Sequence, residues 1–501
     1  MSGSTNPLSV LLDLRPALAG HAGIPQETRM LFGLLSALDY VRVEGLIQHS
    51  GRLLARGLPS NRRRRSGSLS ADQKLNRLGR VVISLEEDIS LMDYLQVRLY
   101  TVAMAVWCGF GGCVELSSFD ARQFRDFLWR RFFARSLPSS DFENVTRCGF
   151  RVARVPWTGM HKCGLFTGHF GTPLYPRLDT SDFDMMIAET PYPATVSRNT
   201  QLVIRYHDAI PVLMPHTIAK RSYHQASHYR ALQSNVKSGA WFVCVSDATR
   251  SDLLSIFPQA EPRSLTIHNM VSDEYFDEKS SADRVTEIVR TRLNGTIDCA
   301  LDPRVGRWLF EKQASSQPLQ YLLVVSTIEP RKNHLCVLAA WEALRTESLP
   351  DLKLVLVGET GWHHEPILQR LRPWMEQGDV YLLTDVPSAD LRLLYKHALA
   401  TVCPSLGEGF DFSGVEAMKS GGAVVASDIP VHLEIYADAA EYFDPYSAHH
   451  LREAIFSVIS PERGARRSEL VGKGSVVARR YESEVIVPQW ESFLQAHEGH
   501  R

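Results

Sequence analysis

From residue 320 onward, short apolar runs alternate with longer segments of helical periodicity: "YLLVVST" (321–327), "LKLVLVG" (352–358), "VYLLT" (380–384), "ATVCPS" (400–405) and "AVVAS" (423–427). Runs of this length suit strands, and strands separated by a helix cannot close as hairpins, so they pair in parallel with the helices packed on the sheet faces. Between the first two runs Leu335, Leu338, Trp341 and Leu344 recur every three residues, which predicts one apolar helical stripe. The pattern predicts a doubly wound α/β domain.

The first half opens in the same way, with a strand "SVLLDL" (9–14), a glycine-containing turn "AGHAGIP" (19–25) and a helix opened by Pro25. Two further strands, "TQLVIRYHD" (200–208) and "AWFVCVSD" (240–247), end in polar residues at Tyr206 to Asp208 and at Ser246 and Asp247. Ligands of open α/β sheets bind at carboxyl ends of strands, so these ends are site candidates by position. The stretch from about 45 to 195 fits no βαβ repeat and is expected to be an insertion; a polar connection, 272–318, joins the halves. A chain of 501 residues exceeds what one core supports, and the expected division is 1–300, 301–480 and a terminal helix over 481–501.

The 55 basic and 56 acidic side chains nearly cancel, so no global field favours nucleic acid, and basic character is local. One such place is "NRRRRSGSLS" (61–70), expected to be a solvated loop. The other is "RQFRDFLWRRFFAR" (122–135), where five Arg alternate with five aromatics as in helices that lie on anionic membranes. The 16 residues "LYTVAMAVWCGFGGCV" (99–114) are too short to span a bilayer and read as a buried helix followed by a turn. Eight cysteines (108, 113, 148, 163, 244, 299, 336 and 403) show neither C-x-x-C pairs nor zinc-ligand spacing, and the N-terminus lacks a basic signal-peptide region. A cytoplasmic protein with reduced thiols is expected.

The stretch "PSLGEGFDFSGVEAMKSGG" (404–422) sets Glu408 and Glu416 eight positions apart, in a loop running into a helix. Ser413 to Glu416 fits an S-x-x-E capping box, which needs no ligand. "STIEPRKNHL" places Arg331 and Lys332 just past a strand and at the start of a helix, where free N–H groups already favour anions. A diphosphate is the expected occupant, and carboxylates suit the vicinal hydroxyls of a sugar or ribose.

With "EPRKN", "VPSADLRLLYKHA" (386–398) and residues 404–451, the chain resembles the retaining GT-B glycosyltransferases of the GT4 family, and more narrowly bacterial mannosyltransferases of O-antigen or exopolysaccharide assembly. Glu408 and Glu416 match the family's E-x7-E signature. The resemblance implies two Rossmann-like domains facing across a cleft. It implies a nucleotide-sugar donor, expected to be GDP-mannose, a saccharide acceptor that is lipid-linked in many such systems, and a retaining, α-forming transfer without metal or other cofactor. It assigns Glu408 to the transferred sugar, Glu416 to the ribose, Arg331 and Lys332 to the diphosphate, Gly409 and Phe410 to the sugar through their amides, and the segment at Val386 to the base. "YHDAIP" matches the family's His-Asp motif and puts His207 across the cleft from the sugar; "CVSDATRSDLL" puts Ser246 at a cleft-facing position. Gly23 belongs to the N-terminal loop that approaches phosphate and acceptor, and Ser326 stands where the family usually has Gly. Other departures are Asp411 in place of a small residue, Ser413 in place of Pro, and Pro25, Gln26 and Glu27 in place of Gly-Arg-Tyr. The alternatives are a GT4 transferase using another UDP- or GDP-linked sugar, a non-catalytic nucleotide-sugar binder, or a GT-B epimerase or phosphorylase.

Overall fold

The structure is a computed structural model that describes residues 7–18, 20, 23–54, 70–293, 318–460 and 464–497. The arginine run at 62–65 and Cys299 lie outside the described residues. The C-terminal lobe is a six-stranded parallel sheet in the order Val380–Leu383, Lys353–Val357, Tyr321–Val325, Ala400–Cys403, Val424–Ser427, Ala440–Phe443. The last strand is missing from the pattern of apolar runs, because it sits at the edge and alternates buried Ala440 and Phe443 with half-buried Glu441 and Tyr442. The helix His334–Glu347 buries Val337, Leu338, Trp341 and Leu344, but Leu335 is 42% exposed. A true period of 3.6 carries the stripe from Leu338 back to Val337 and His334 rather than to Leu335.

The N-terminal lobe is an eight-stranded sheet ordered Ser264–Thr266, Trp241–Cys244, Gln201–Tyr206, Met185–Ala188, Leu8–Asp13, Val41–Ile47, Gly149–Ala153, Leu116–Phe119, parallel except for its last pair. Two such lobes make the α/β, GT-B architecture. The expected insertion over 45–195 needs correction: Val41–Ile47, Gly149–Ala153 and Met185–Ala188 are strands of the main sheet. The added material is a helix pair, Ala71–Glu86 and Leu91–Gly109, and the irregular segment after it. Buried Arg52 holds the corner between these helices, donating to the Ser84 carbonyl (3.1 Å) and pairing with Asp93 (2.9 Å).

Two further expectations change. The aromatics of 122–135 do not face out, since Phe132 and Phe133 are fully buried and Phe133 stacks on Phe32 at 5.1 Å. Only one stripe of the helix Leu91–Gly109 is buried (Val97, Thr101, Met104, Ala105), so the 99–114 stretch is not an interior helix. Its outer face carries Leu91, Met92, Leu95, Leu99, Val102 and Val106 with Phe110 just beyond, Leu99 being 75% and Phe110 88% exposed. Among the described residues no helix is long and apolar enough to cross a membrane, and seven cysteines are unpaired.

The expected boundary at residue 300 also moves. Val271, Tyr275, Val285, Ile288 and Val289 pack in one core with Leu391 and Tyr395, and Arg292 pairs with Asp390 (2.6 Å), so the chain joins the C-terminal lobe from about residue 271. It returns at its end: Ile486, Trp490, Phe493 and Leu494 of the helix Ser483–Ala496 pack with Val10, Leu12 and Val203 of the N-terminal sheet. Val271 N–H donates to the Tyr481 carbonyl (2.8 Å), so the outgoing and returning segments lie side by side. Trp490 is 1% exposed beneath the Arg205 guanidinium, 5.3 Å from its ring. Trp490→Ala is expected to cost about 3–5 kcal/mol in denaturant unfolding, and a loss under about 1 kcal/mol would show that this helix is not docked.

Candidate active site

The strands Tyr321–Val325 and Ala400–Cys403 are neighbours, so the loops leaving their carboxyl ends run side by side. Asn333, in the left-handed region at φ 55°, donates its side-chain amide to the carbonyls of Pro404 (3.1 Å) and Pro445 (2.8 Å), and Leu406 N–H donates to the Arg331 carbonyl (2.9 Å). This stitching brings Glu408 onto both cations. Its carboxylate meets Arg331 Nη1 at 2.8 Å and is bonded by Lys332 Nζ. Arg331 also pairs with Glu329 (2.9 Å) and donates to the Gly407 carbonyl (2.6 Å).

Burial alone would raise the Glu408 carboxyl, but Arg331 and Lys332 outweigh it and hold the group ionised below its ordinary range. Burial likewise opposes the Arg331 charge, and Glu408, Glu329 and Asp208 more than restore it. Beside these charges the backbone is open: among the described residues, no amide N–H from Gly407 to Asp411 donates to another protein group. Five consecutive free donors next to two cations suit an oxygen-rich anion.

The N-terminal lobe closes directly on this loop. A Cβ on Gly409 would fall 1.8 Å from the His207 carbonyl oxygen, so only glycine allows the approach. The Gly409 carbonyl accepts from Ser246 Oγ (2.7 Å) and Thr249 Oγ1 (3.3 Å), which places Ser246 at the cleft. His207 and Asp208 follow the strand Gln201–Tyr206, and Asp208 is near enough to feel Arg331 and Glu408.

Glu416 lies one turn into the helix Phe412–Lys419, 4% exposed, and its oxygens accept from Gln26 Nε2 (3.1 Å) and Tyr395 OH (3.1 Å). The capping-box reading of Ser413 and Glu416 is therefore corrected. The cap is Asp411, at φ 64°, whose carboxylate accepts from Ser413 N–H (3.2 Å) and Oγ (2.7 Å) and from His432 Nε2 (3.1 Å). A residue that marked a departure from the family pattern thus sets the conformation of this loop.

Gly23 precedes the helix Ile24–Ala37 at φ 69°, which brings Gln26 to Glu416. The Phe410 side chain is core, edge-on to Phe412 and Tyr481 at 5.2 Å each, so only its backbone is available to a ligand. Ser326 Oγ is engaged with His334 Nε2 (3.1 Å). Val386 is half-buried at the carboxyl end of the strand Val380–Leu383, outside the cluster of Glu408 and the cations. Gln26 and Glu434 were not identified as site residues; Gln26 stood out only as a departure at a helix start.

Residues 308–472 match the family described as glycosyl transferases group 1. That span takes in the six strands of the C-terminal lobe, Tyr321 to Phe443. Over 264 residues the chain is 28% identical to O-antigen chain mannosyltransferase B of Escherichia coli, covering 51% of this chain and 61% of that one. Over 135 residues it is 33% identical to the serotype-specific mannosyltransferase WbdA of Escherichia coli, covering 26% of this chain and 16% of that one. The chain thus spans about three-fifths or less of these relatives' length. Sucrose-phosphate synthase from Thermosynechococcus elongatus shares the fold across both lobes, with a TM-score of 0.59 at 13% identity and 98% of each chain covered.

The C-terminal lobe also holds its partner lobe through Glu434. This carboxylate accepts the free amides of Asp247 and Ala248 (2.8 Å each) at the start of the helix Asp247–Ile256, and bonds His268 Nε2 (2.8 Å). A side chain of one lobe caps a helix of the other.

Burial, partly offset by the Gln26 and Tyr395 hydrogen bonds, pushes the Glu416 carboxyl from 4.5 up to about 7. Between those values the folded protein holds a proton that the unfolded chain has released, so ionising Glu416 lowers stability as pH rises through this window. Wild type is therefore expected to lose stability relative to Glu416→Gln as pH rises from about 4.5 to 7. Parallel denaturation curves for the two proteins across that range would contradict it.

Proposed function

We propose that the protein is a retaining glycosyltransferase that moves mannose from GDP-mannose to a growing, lipid-linked cell-surface polysaccharide, forming an α-linkage. The observation that carries this is Glu408 held between Arg331 and Lys332 beside the open amides of 407–411, on a group 1 domain. The names of the relatives, O-antigen and serotype-specific mannosyltransferases, support mannose as the sugar.

The chemistry follows from charge. The bond from the anomeric carbon to the departing phosphate oxygen breaks, and the acceptor oxygen bonds on the same face, its proton passing to that phosphate oxygen. Arg331 and Lys332 take up the negative charge that grows on the diphosphate, while Glu408 stands beside the positive charge on the sugar. Glu416 accepts the ribose hydroxyls, for which Gln26 must give up its place. The cations do the work of a metal here, so EDTA is expected to leave the rate intact. The α-product is expected from the α-linked donor, read by NMR; a β-linked product overturns retention. Glu408→Ala should lower kcat far more than GDP affinity. The Arg331→Ala, Lys332→Ala double variant should weaken GDP by about 1.5–3 kcal/mol per lost charge-assisted bond in calorimetry. Unchanged GDP binding in that variant would remove the diphosphate assignment.

Membrane contact, first placed at 122–135, is better supported by the outer face of the helix Leu91–Gly109, whose apolar side chains have cations at their edge: Arg98 and Lys162 both lie over the Tyr94 ring, at 5.4 and 5.1 Å. Leu99→Glu with Val102→Glu is expected to abolish cosedimentation with anionic vesicles while the melting temperature holds, and Arg130→Glu with Arg131→Glu is expected to change it little. The reverse pattern would return the contact to 122–135.

A further inference from the structure

His207 and Glu189 follow adjacent parallel strands, Gln201–Tyr206 and Met185–Ala188. Their side chains meet across that gap, with His207 Nε2 3.0 Å from Glu189 Oε2. Glu189 is wholly buried, and its other oxygen, Oε1, has no partner. The nearby cations bond other groups, although Arg15 Nε has no hydrogen-bond partner among the described residues. Arg205 is paired to Glu27 (2.9 Å) and spends its remaining N–H groups on the carbonyls of Ile267 (2.6 Å) and Cys244 (3.4 Å) and on Asn269 Oδ1 (2.7 Å). Arg15 donates to Thr190 Oγ1 (3.0 Å) and faces Asp13 at 3.6 Å. Two buried carboxylates, Glu27 and Glu189, thus share a neighbourhood in which the one arginine at hydrogen-bonding distance belongs to Glu27.

An ionised Glu189 opposite a neutral imidazole would be a buried anion without a cation bonded to it, an arrangement that proteins avoid by keeping a proton. That proton has two seats. It sits on Glu189 and is donated to Nε2, or it sits on the ring as imidazolium; in both cases Nδ1 carries a hydrogen. Burial raises the Glu189 carboxyl to about 8, with Asp13 adding to the rise and Arg205 and Arg15 opposing it. Burial and then Arg205 lower His207 to about 4, against Glu27 and Asp208, which favours the first seat. Asp208, itself raised by burial, is the other acid beside the ring. Nδ1 makes no hydrogen bond to the described protein, so it is the nitrogen left for a ligand.

We propose that Glu189 is a positioning residue that grips His207 through Nε2 and keeps a proton on Nδ1, so that His207 meets the substrate as a hydrogen-bond donor and not as a base. This rests on reading His207 as a residue that faces the donor sugar. Loss of the shared proton in alkali would turn the ring into its Nε2–H form and leave Nδ1 an acceptor, so transfer would fail above the pair's titration.

The first test needs no turnover: histidine labelled with nitrogen-15 in the whole protein, with His207→Gln as the assignment control, read by two-bond proton–nitrogen NMR at pH 7. Nδ1 protonated is the expected result, and a neutral ring protonated on Nε2 overturns the proposal whatever the enzyme transfers. The second test is the pH profile of kcat/KM with GDP-mannose. Wild type is expected to fall at least tenfold on the alkaline side. Glu189→Gln, whose amide N–H donates to Nε2 at any pH, should keep a measurable rate and lose that limb. Glu189→Ala should lower kcat at least tenfold with little change in the KM for donor. The same alkaline limb in wild type and Glu189→Gln overturns the proposal. A protonated Nδ1 in a protein with no transfer from any nucleotide sugar would count against the proposed function and leave the role of Glu189 standing.

Discussion

The contact of Glu408 with Arg331 and Lys332 organises the C-terminal lobe, because it ties the short turn Pro330–Lys332 to the loop that carries Glu408. Without a ligand the cations have Glu408 as their counter-ion, and a buried cation pair with no anion would be costly. Under the proposed function, a diphosphate would meet charges that are already ordered and desolvated, and would compete with Glu408 for them. The same carboxylate, once released from part of that pairing, is free to turn to a sugar. On that proposal, recognition of the leaving group and approach to the sugar would be coupled through one side chain.

On the other side of the loop, the helix that carries Glu416 is set by Asp411. Its carboxylate satisfies Ser413 and His432 together; burial works against ionisation, but the His432 hydrogen bond and Lys332 drive the carboxyl well below its usual range. This fixed cap holds Glu416 in place while Gln26 of the other lobe reaches it. The lobes thus touch through Gln26 on Glu416, Ser246 on Gly409 and Glu434 on the helix at Asp247.

Much of this was legible in the residues. Parallel strands showed as apolar runs because they are buried on both faces, and Arg331, Lys332, Glu408 and Glu416 stood out through spacing and place in the βα units. What escaped notice had weaker signals. The strand Ala440–Phe443 is an edge and reads as amphipathic, and Val41–Ile47 mixes Arg42 and Glu44 into its run. Basic and aromatic residues alternate in 122–135 for reasons of packing, with the rings turned inward and Arg131 donating to the carbonyls of Leu18 (3.3 Å) and Leu85 (3.1 Å). The helix Leu91–Gly109 is so uniformly apolar that sequence could not tell which face was inside. Contacts of long range, such as Glu189 with His207 or Glu434 with Asp247, join residues whose spacing along the chain carries no trace of them.

The paired crossings at Val271 and Tyr481 have a mechanical meaning. Two bodies joined by a pair of adjacent tethers tend to swing about the line through them, as a door does, and resist sliding past one another. The contacts of Glu416, Gly409 and Glu434 with the other lobe then act as latches, and opening the gap asks for rotation at the joint rather than deformation of either sheet. Among the described residues the chain leaves the first lobe near Val271 and comes back near Tyr481, so one short joint carries whatever motion the lobes make.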